Sequence, residues 1–432
     1  MLAPSALGHA TRIAIKTAAR GVSATEGPRS SRRAEGRRLR ADVRHFLDWS
    51  RRRYDFFEAL ETVPDGRDPG RTRIPLPAVL LAVLLMFWLD LGSIRELDDR
   101  LRANPGLRRV LALVGGDTIS DDTFADALDR LGLEVVKDHM RDFAKRELKR
   151  WGAGRYRQSE LARRLAPVGC PGLAARALVA IDGHELFWSE HRTCPDCSVR
   201  TVKKKRNGKE VEVEEHFHRI VVAHWVGSHP AIILDFEPQR PGEGEQTAAY
   251  RLVERLARVY GKAIGILVAD ALFDGEPFRR AAQQAGYNTV IRQKDQRKWR
   301  GPRQALDKRD PGRIAPDRHY HEAATKRRYE CWEEPDDGRR YIEARRTTPT
   351  RDGQQVHQGA CVTDLTAQQA PAVAVAMLME TRWWIENTAF HELAGPWSMD
   401  RAFVHAGRPT AVQTIVTLAL MAFNAFQAYL YR

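Results

Sequence analysis

Two stretches decide how this chain reads: Ala177-Leu-Val-Ala-Ile-Asp182-Gly183 and Ala263-Ile-Gly-Ile-Leu-Val-Ala-Asp270. Each is a short apolar run ending on an aspartate, the pattern of a buried strand. In α/β sheets, ligands and catalytic groups collect at the carboxyl ends of such strands. One aspartate there is ordinary turn chemistry; two in one sheet invite a catalytic reading. Between them, Phe217–Val226 and Ala231–Phe236 read as strands around a Gly-Ser-His-Pro turn, and Gln246–Tyr260 as an amphipathic helix. A helix at Gly275–Ala285 and a strand at Asn288–Arg292 follow. Three consecutive strands and then alternating helix and strand predict a mixed α/β sheet.

Outward from this core the periodicity changes. Residues 41–151 read as all-helical, with apolar residues at helical spacing through His45–Thr62, Leu76–Leu91, Ser93–Ala103, Asp121–Leu131 and Leu133–Lys149. Ser93 and Ser120 sit where N-caps belong. Such a bundle suits a DNA-reading domain and equally suits any small helical domain. Gly152–Ala175 reads as a loop, and 175–292 as the first part of the core. Residues 293–370 read as a basic, partly β insertion, with strands at Arg328–Trp332 and Arg339–Thr347. Residues 371–432 close the core with helices at Ala372–Leu393 and Pro409–Tyr429.

Seventy basic residues against 56 acidic ones give a net charge of +14. The excess is concentrated in residues 1–40, which read as a disordered basic arm, and in 292–328, while the rest is close to neutral. Two basic segments on a neutral body point to a polyanion such as DNA; an arginine-rich codon bias is the alternative. Five cysteines, an odd number, argue against a disulfide scaffold and for a reducing compartment. The apolar runs Leu76–Leu91 and Ala411–Tyr429 carry polar interruptions and read as buried helices.

A third carboxylate, Glu386, lies in a late helix with Arg382 four residues before it, on one face. Converging carboxylates repel one another unless cations offset them. Oxygen ligands at Asp182, Asp270 and Glu386 suit two Mg²⁺ or Mn²⁺ ions, a pair that can clamp an in-line phosphodiester displacement.

The segments VAIDGHELF, RPGEGEQTAAYRLVERL, ILVADALFDGEPF and RWWIENTAFHELAGPWSMDRAF together resemble bacterial insertion-sequence transposases of the IS4-like DDE class. The resemblance runs from about Ala177 to the C-terminus. It implies a ribonuclease-H-like catalytic domain, with Asp182, Asp270 and Glu386 as its metal-holding triad and Arg382 on a DNA phosphate. It also implies metal-dependent cleavage of transposon ends, transfer of the freed 3′-hydroxyl to target double-stranded DNA, a homodimer on the paired ends, and a bacterial cytoplasmic, nucleoid-associated setting. The familiar helix motif of that class adds a Tyr before the Arg and a Lys after the Glu. Met379 and Leu393 stand at those positions here. Within the basic insertion, Arg297, Lys298, Arg300 and Arg303 are expected on DNA, and Trp299 or Trp332 on a displaced base. Trp383 and Trp384 read as core, and His184 as a packing or DNA contact. A nuclease that cuts without joining and a domesticated, non-catalytic DNA-binding protein are the competing readings.

One motif stands apart. Asn207-Gly208 between alternating segments is a strong hairpin signal, and a two-residue loop sets Lys205 opposite Glu210 and Lys203 opposite Glu212. The same register puts Cys197 across from His218, with Cys194 and His216 close by. A long hairpin with ordinary free thiols is the first reading of these four residues; the geometry also allows them to ligate a structural zinc. Cys331 and Cys361 read as structural thiols.

Overall fold

The computed structural model describes residues 45–432, apart from 294–317 and short breaks at 55, 114–116, 153, 324, 337, 352, 396, 406 and 432. Helical residues 45–54 and α1 (Phe56–Glu61) lead into α2 (Leu76–Trp88), α3 (Ile94–Ala103), α4 (Pro105–Val110), α5 (Asp121–Arg130) and α6 (Leu133–Gly152). Ser93 and Ser120 cap as their positions imply: each accepts a hydrogen bond from the third backbone N–H of its helix, Glu96 and Thr123. Glycine and proline suggest a loop at 152–175, but α7 (Glu160–Leu165) forms there, capped by Ser159.

Among the described residues, ten strands make one sheet: β1 (Ala177–Ser189), β2 (Ser198–Arg206), β3 (Lys209–Val226), β4 (Ile232–Pro238), β5 (Ile264–Ala269), β6 (Asn288–Gln293), β7 (Arg318–Glu322), β8 (Arg327–Asp336), β9 (Arg339–Thr350) and β10 (Gly353–Thr363). Strand order is β2-β3-β1-β5-β6-β10-β9-β8-β7, with β4 on the free side of β3. β1, β3 and β4 run antiparallel, while β5 and β6 are parallel to β1. This is the ribonuclease-H-like arrangement, mixed α/β as the element pattern predicts. β5 is buried along its whole length, as a parallel strand covered on both faces must be. α8 (Glu245–Tyr260) and α9 (Glu276–Gln284) follow β4 and β5.

One expectation changes. β1 does not stop at Asp182 but continues to Ser189, because β3 pairs with it throughout while β5 leaves it after Ile181. The polar run that suggests a turn is therefore strand with only one remaining edge partner. The described part of the 293–370 segment is largely strand, as partly expected, and it joins the core sheet. β10 pairs with β6, so β7–β10 extend the same sheet. The β2–β3 register is the expected one, with Lys205 opposite Glu210 and Lys203 opposite Glu212. Asn207 and Gly208 both take positive φ, 50° and 78°, as a primed turn requires. Beyond the Ser189–His216 pair, β3 is bound to β2 alone, so the tip projects as a ribbon.

The carboxyl-terminal half holds α10 (Ala372–Thr381), a π-helical stretch at Ile385–Phe390, α11 (His391–Ala394) and α12 (Pro409–Leu430). α12 is long and apolar enough to cross a bilayer, yet it is almost wholly buried between the amino-terminal helices and β4. An all-round apolar helix demands such a setting. Thr414 donates to Leu128 O (3.0 Å), the Trp88 indole to Ala422 O (3.1 Å), and the Tyr429 hydroxyl meets His45 Nδ1 at 2.9 Å. Asn424 pairs twice with the backbone of Ile233: its Oδ1 accepts from Ile233 N and its Nδ2 donates to Ile233 O, both at 2.8 Å. A side-chain amide thus completes the ladder at the free edge of β4. The helical region and the sheet share a continuous core, pinned further by Arg141 on Asp235 (3.1 Å).

Candidate active site

Asp182 and Asp270 arise from one register. Ile181 pairs with Ala269 on parallel neighbours, so the next residue on each strand puts the carboxylates side by side where the two strands diverge. Asp270 caps the turn that follows, its Oδ1 accepting from Leu272 N at 2.8 Å. Asp182 Oδ1 accepts from Gly183 N at 2.9 Å. Arg382 joins these strands to the late helix: Nη1 lies 3.0 Å from Asp182 Oδ2 and Nη2 lies 2.8 Å from Glu386 Oε1. The arginine side chain is buried, whereas that of Glu386 is 49% exposed and reachable from solvent.

The cluster is electrostatically loaded. Burial pushes the Asp182 carboxyl up to about 6; Arg382 opposes the rise, and the charges of Asp270 and Glu386 add to it. One guanidinium bridges two of the three carboxylates, Asp182 and Glu386. Asp274, just past the same strand as Asp270, is engaged elsewhere, by Arg279 (2.8 Å), Arg339 (3.7 Å) and Gln293 (3.1 Å).

The helical backbone is itself irregular here. α10 ends at Thr381, a turn carries Arg382, and the π-helical stretch holds Glu386. Single π turns recur at functional sites because they re-aim side chains within a helix. The interruption turns Arg382 inward and Trp383 outward, so Trp383 is exposed, not core. It lines an open pocket with Arg292, Arg346, His357 and Met379, and the Arg292 guanidinium lies 5.5 Å from its ring. Trp384 is half-buried, its ring 5.2 Å from that of His229. Leu393 is fully buried.

Gly183 lies close under the Glu245 carboxylate: a Cβ there would fall 2.3 Å from Glu245 Oε2, so that side chain would have to shift. Glu245, in the first turn of α8, pairs with Arg219 (2.7 Å), which also meets Glu185 (3.2 Å). Reading GEGEQTA as a helix start leaves this contact with the strand of Asp182 unseen. His184 stacks on Phe390, ring centres 4.6 Å apart, and burial holds it down at about 4, so it is a neutral packing residue. Arg297, Lys298, Trp299, Arg300 and Arg303 lie outside the described residues. Trp332 is partly buried and packs against the core. Cys331 and Cys361 are fully buried thiols.

Cys194 and Cys197 do come together with His218, but His216 is not the fourth member. His405 takes that place, from the segment that leads into α12. That segment docks on the cysteine loop through Gly407 N to Thr193 O (3.0 Å), a contact between residues too distant in sequence for hairpin register to reveal.

The sequence pattern of the family described as Transposase DDE domain matches residues 177–424, more than half the chain. This chain belongs to that family. No curated protein matches it. The DDE domain thus begins with β1 and ends within α12, preceded by a helical region.

Proposed function

We propose that this DDE protein is a transposase of the bacterial IS4-like kind, cutting DNA at the ends of a mobile element and joining the freed 3′-hydroxyl to target DNA. The observation that carries the reading is the placement of Asp182 and Asp270 on adjacent strand ends, with Glu386 tied to Asp182 through Arg382. The donor set is all oxygen, and burial beside two other carboxylates raises the Asp182 carboxyl. Both features fit Mg²⁺ or Mn²⁺ held by Asp182, Asp270 and Glu386. Bound there, two such ions would activate the attacking hydroxyl and neutralise the leaving oxygen of an in-line displacement.

The chain's own residues supply positioning. Arg382, buried and bidentate, fixes the spacing of Asp182 and Glu386 and keeps the metal-free site from flying apart. The Asp270 cap holds its carboxylate against the turn at Leu272. Glu386, being half-exposed, faces incoming DNA. The basic segment 292–328 would track phosphates, and the amino-terminal helices would read the element's end. Two copies would meet on paired ends.

The test is incubation of labelled end-sequence duplexes with the full chain and Mg²⁺ or Mn²⁺. Nicked and then strand-joined products are expected, and both disappear in Asp270→Asn and Glu386→Gln while DNA binding persists. Nicking without joining assigns a nuclease. Binding with no metal-dependent nicking assigns a non-catalytic DNA-binding protein and overturns the proposal.

A further inference from the structure

Four side chains far from the carboxylates meet in a way that DNA cleavage does not use. Cys194 Sγ and Cys197 Sγ lie 3.7 Å apart. His218 Nε2 is 3.3 Å from each sulfur, and His405 Nε2 is 3.1 Å from Cys197 Sγ. All four ligand atoms fall within 4.8 Å of one another. A zinc tetrahedron with bonds of about 2.3 Å to sulfur and 2.0–2.1 Å to nitrogen has edges of roughly 3.8 Å between sulfurs and 3.6 Å between sulfur and nitrogen. The sulfurs are too far apart for a disulfide, whose bond is about 2.05 Å. Cys194, Cys197 and His405 are each under a tenth exposed, and Phe187 closes the apolar side, its ring 5.3 Å from His218 and 5.2 Å from His405.

We propose that Cys194, Cys197, His218 and His405 bind one structural Zn²⁺. Four protein ligands leave no open position for water, so the ion fastens and does not catalyse. It joins the loop after β1, the base of the β2–β3 ribbon and the segment before α12. The backbone docks the same parts independently: Gly407 N donates to Thr193 O at 3.0 Å, and Gln413 Nε2 to Asp196 Oδ2 at 3.4 Å. The knuckle is preformed as well, with Cys194 N donating to Cys197 Sγ (3.3 Å) and Cys197 N to Cys194 O (3.1 Å). A cavity lined by Asp196, His218 and Gln413 gives the ion a route in.

The test is elemental analysis of the purified full chain after dialysis against a weak chelator. One zinc per chain is expected. Titration with a mercurial should release it as the thiols react, and Co²⁺ exchanged in its place should give the visible spectrum of a tetrahedral thiolate site. His405→Gln and Cys197→Ser should hold less than a tenth of that zinc, whereas Cys331→Ser and Asp182→Asn should hold all of it. Wild-type protein that takes up no zinc at micromolar free metal, or zinc lost in Asp182→Asn but kept in His405→Gln, overturns the proposal. The wild-type measurements stand even where a variant fails to fold, and Mg²⁺-dependent nicking is scored separately.

Discussion

Removing the charge of Asp182 should make the metal-free protein more stable while ending cleavage. A carboxyl moved by burial from 3.8 to about 6 binds its proton more tightly folded than unfolded, so ionising it at neutral pH costs about 3 kcal/mol of stability. The cost is absent below the unfolded value, grows as pH rises from 3.8 to about 6, and is complete above that. Asp182→Asn removes it. The substitution also weakens one of the two contacts of Arg382, an offset of about 1–2 kcal/mol, leaving a net gain of roughly 1–2 kcal/mol at pH 8. Urea denaturation in chelator should show Asp182→Asn ahead of the wild type at pH 8, with the margin shrinking at pH 5. Added Mg²⁺ should reverse the order, because an ion at a hundred times its dissociation constant stabilises the wild type by about 2.7 kcal/mol. A variant less stable than the wild type in chelator at pH 8, or a margin unchanged at pH 5, would refute this account.

Three further outcomes follow from other parts of the molecule. DNA binding should weaken steeply with salt, with a log–log slope of roughly −5 if six phosphates are contacted; neutralising Arg297, Lys298, Arg300 and Arg303 together should flatten it, and an unchanged slope assigns the segment to solvent. Asn424→Ala strands the Ile233 N–H and C=O and should cost about 2–4 kcal/mol in denaturation. Gly183→Ala should push the Glu245 carboxylate aside and loosen its pair with Arg219, leaving nicking and DNA affinity close to wild type, as read by a filter assay beside the cleavage gel; a large loss of nicking would show that Glu245 is held rigidly against β1.

The strands that carry Asp182 and Asp270 were legible because burial on both faces leaves a continuous apolar run, and the Asn207-Gly208 register because φ > 0 is chemically explicit. β10 was not, since Gly353–Val356 is exposed and mostly polar, and only its last four residues are buried against β6. The second half of β1 was hidden for a related reason: Asp182, Gly183, His184 and Glu185 look like a turn until β3 is known to lie alongside. His405 carries no local signal, because its partners lie some two hundred residues earlier. Trp383 and the Glu245–Gly183 contact depend on a helix irregularity and a loop approach that periodicity does not encode.

The sheet that carries the carboxylates runs without a break from β1 through β5, β6 and β10 to β7. A plate of hydrogen-bonded strands resists shear in its own plane, so Arg346 and Trp332 on its far half are held at a fixed distance from Asp182. Under the proposed function, DNA lying across both halves finds a stiff template and must itself bend to fit. Element ends with a flexible pyrimidine–purine step near the scissile phosphate would then be cut fastest, a preference set by how cheaply the duplex deforms and not by any base the protein touches.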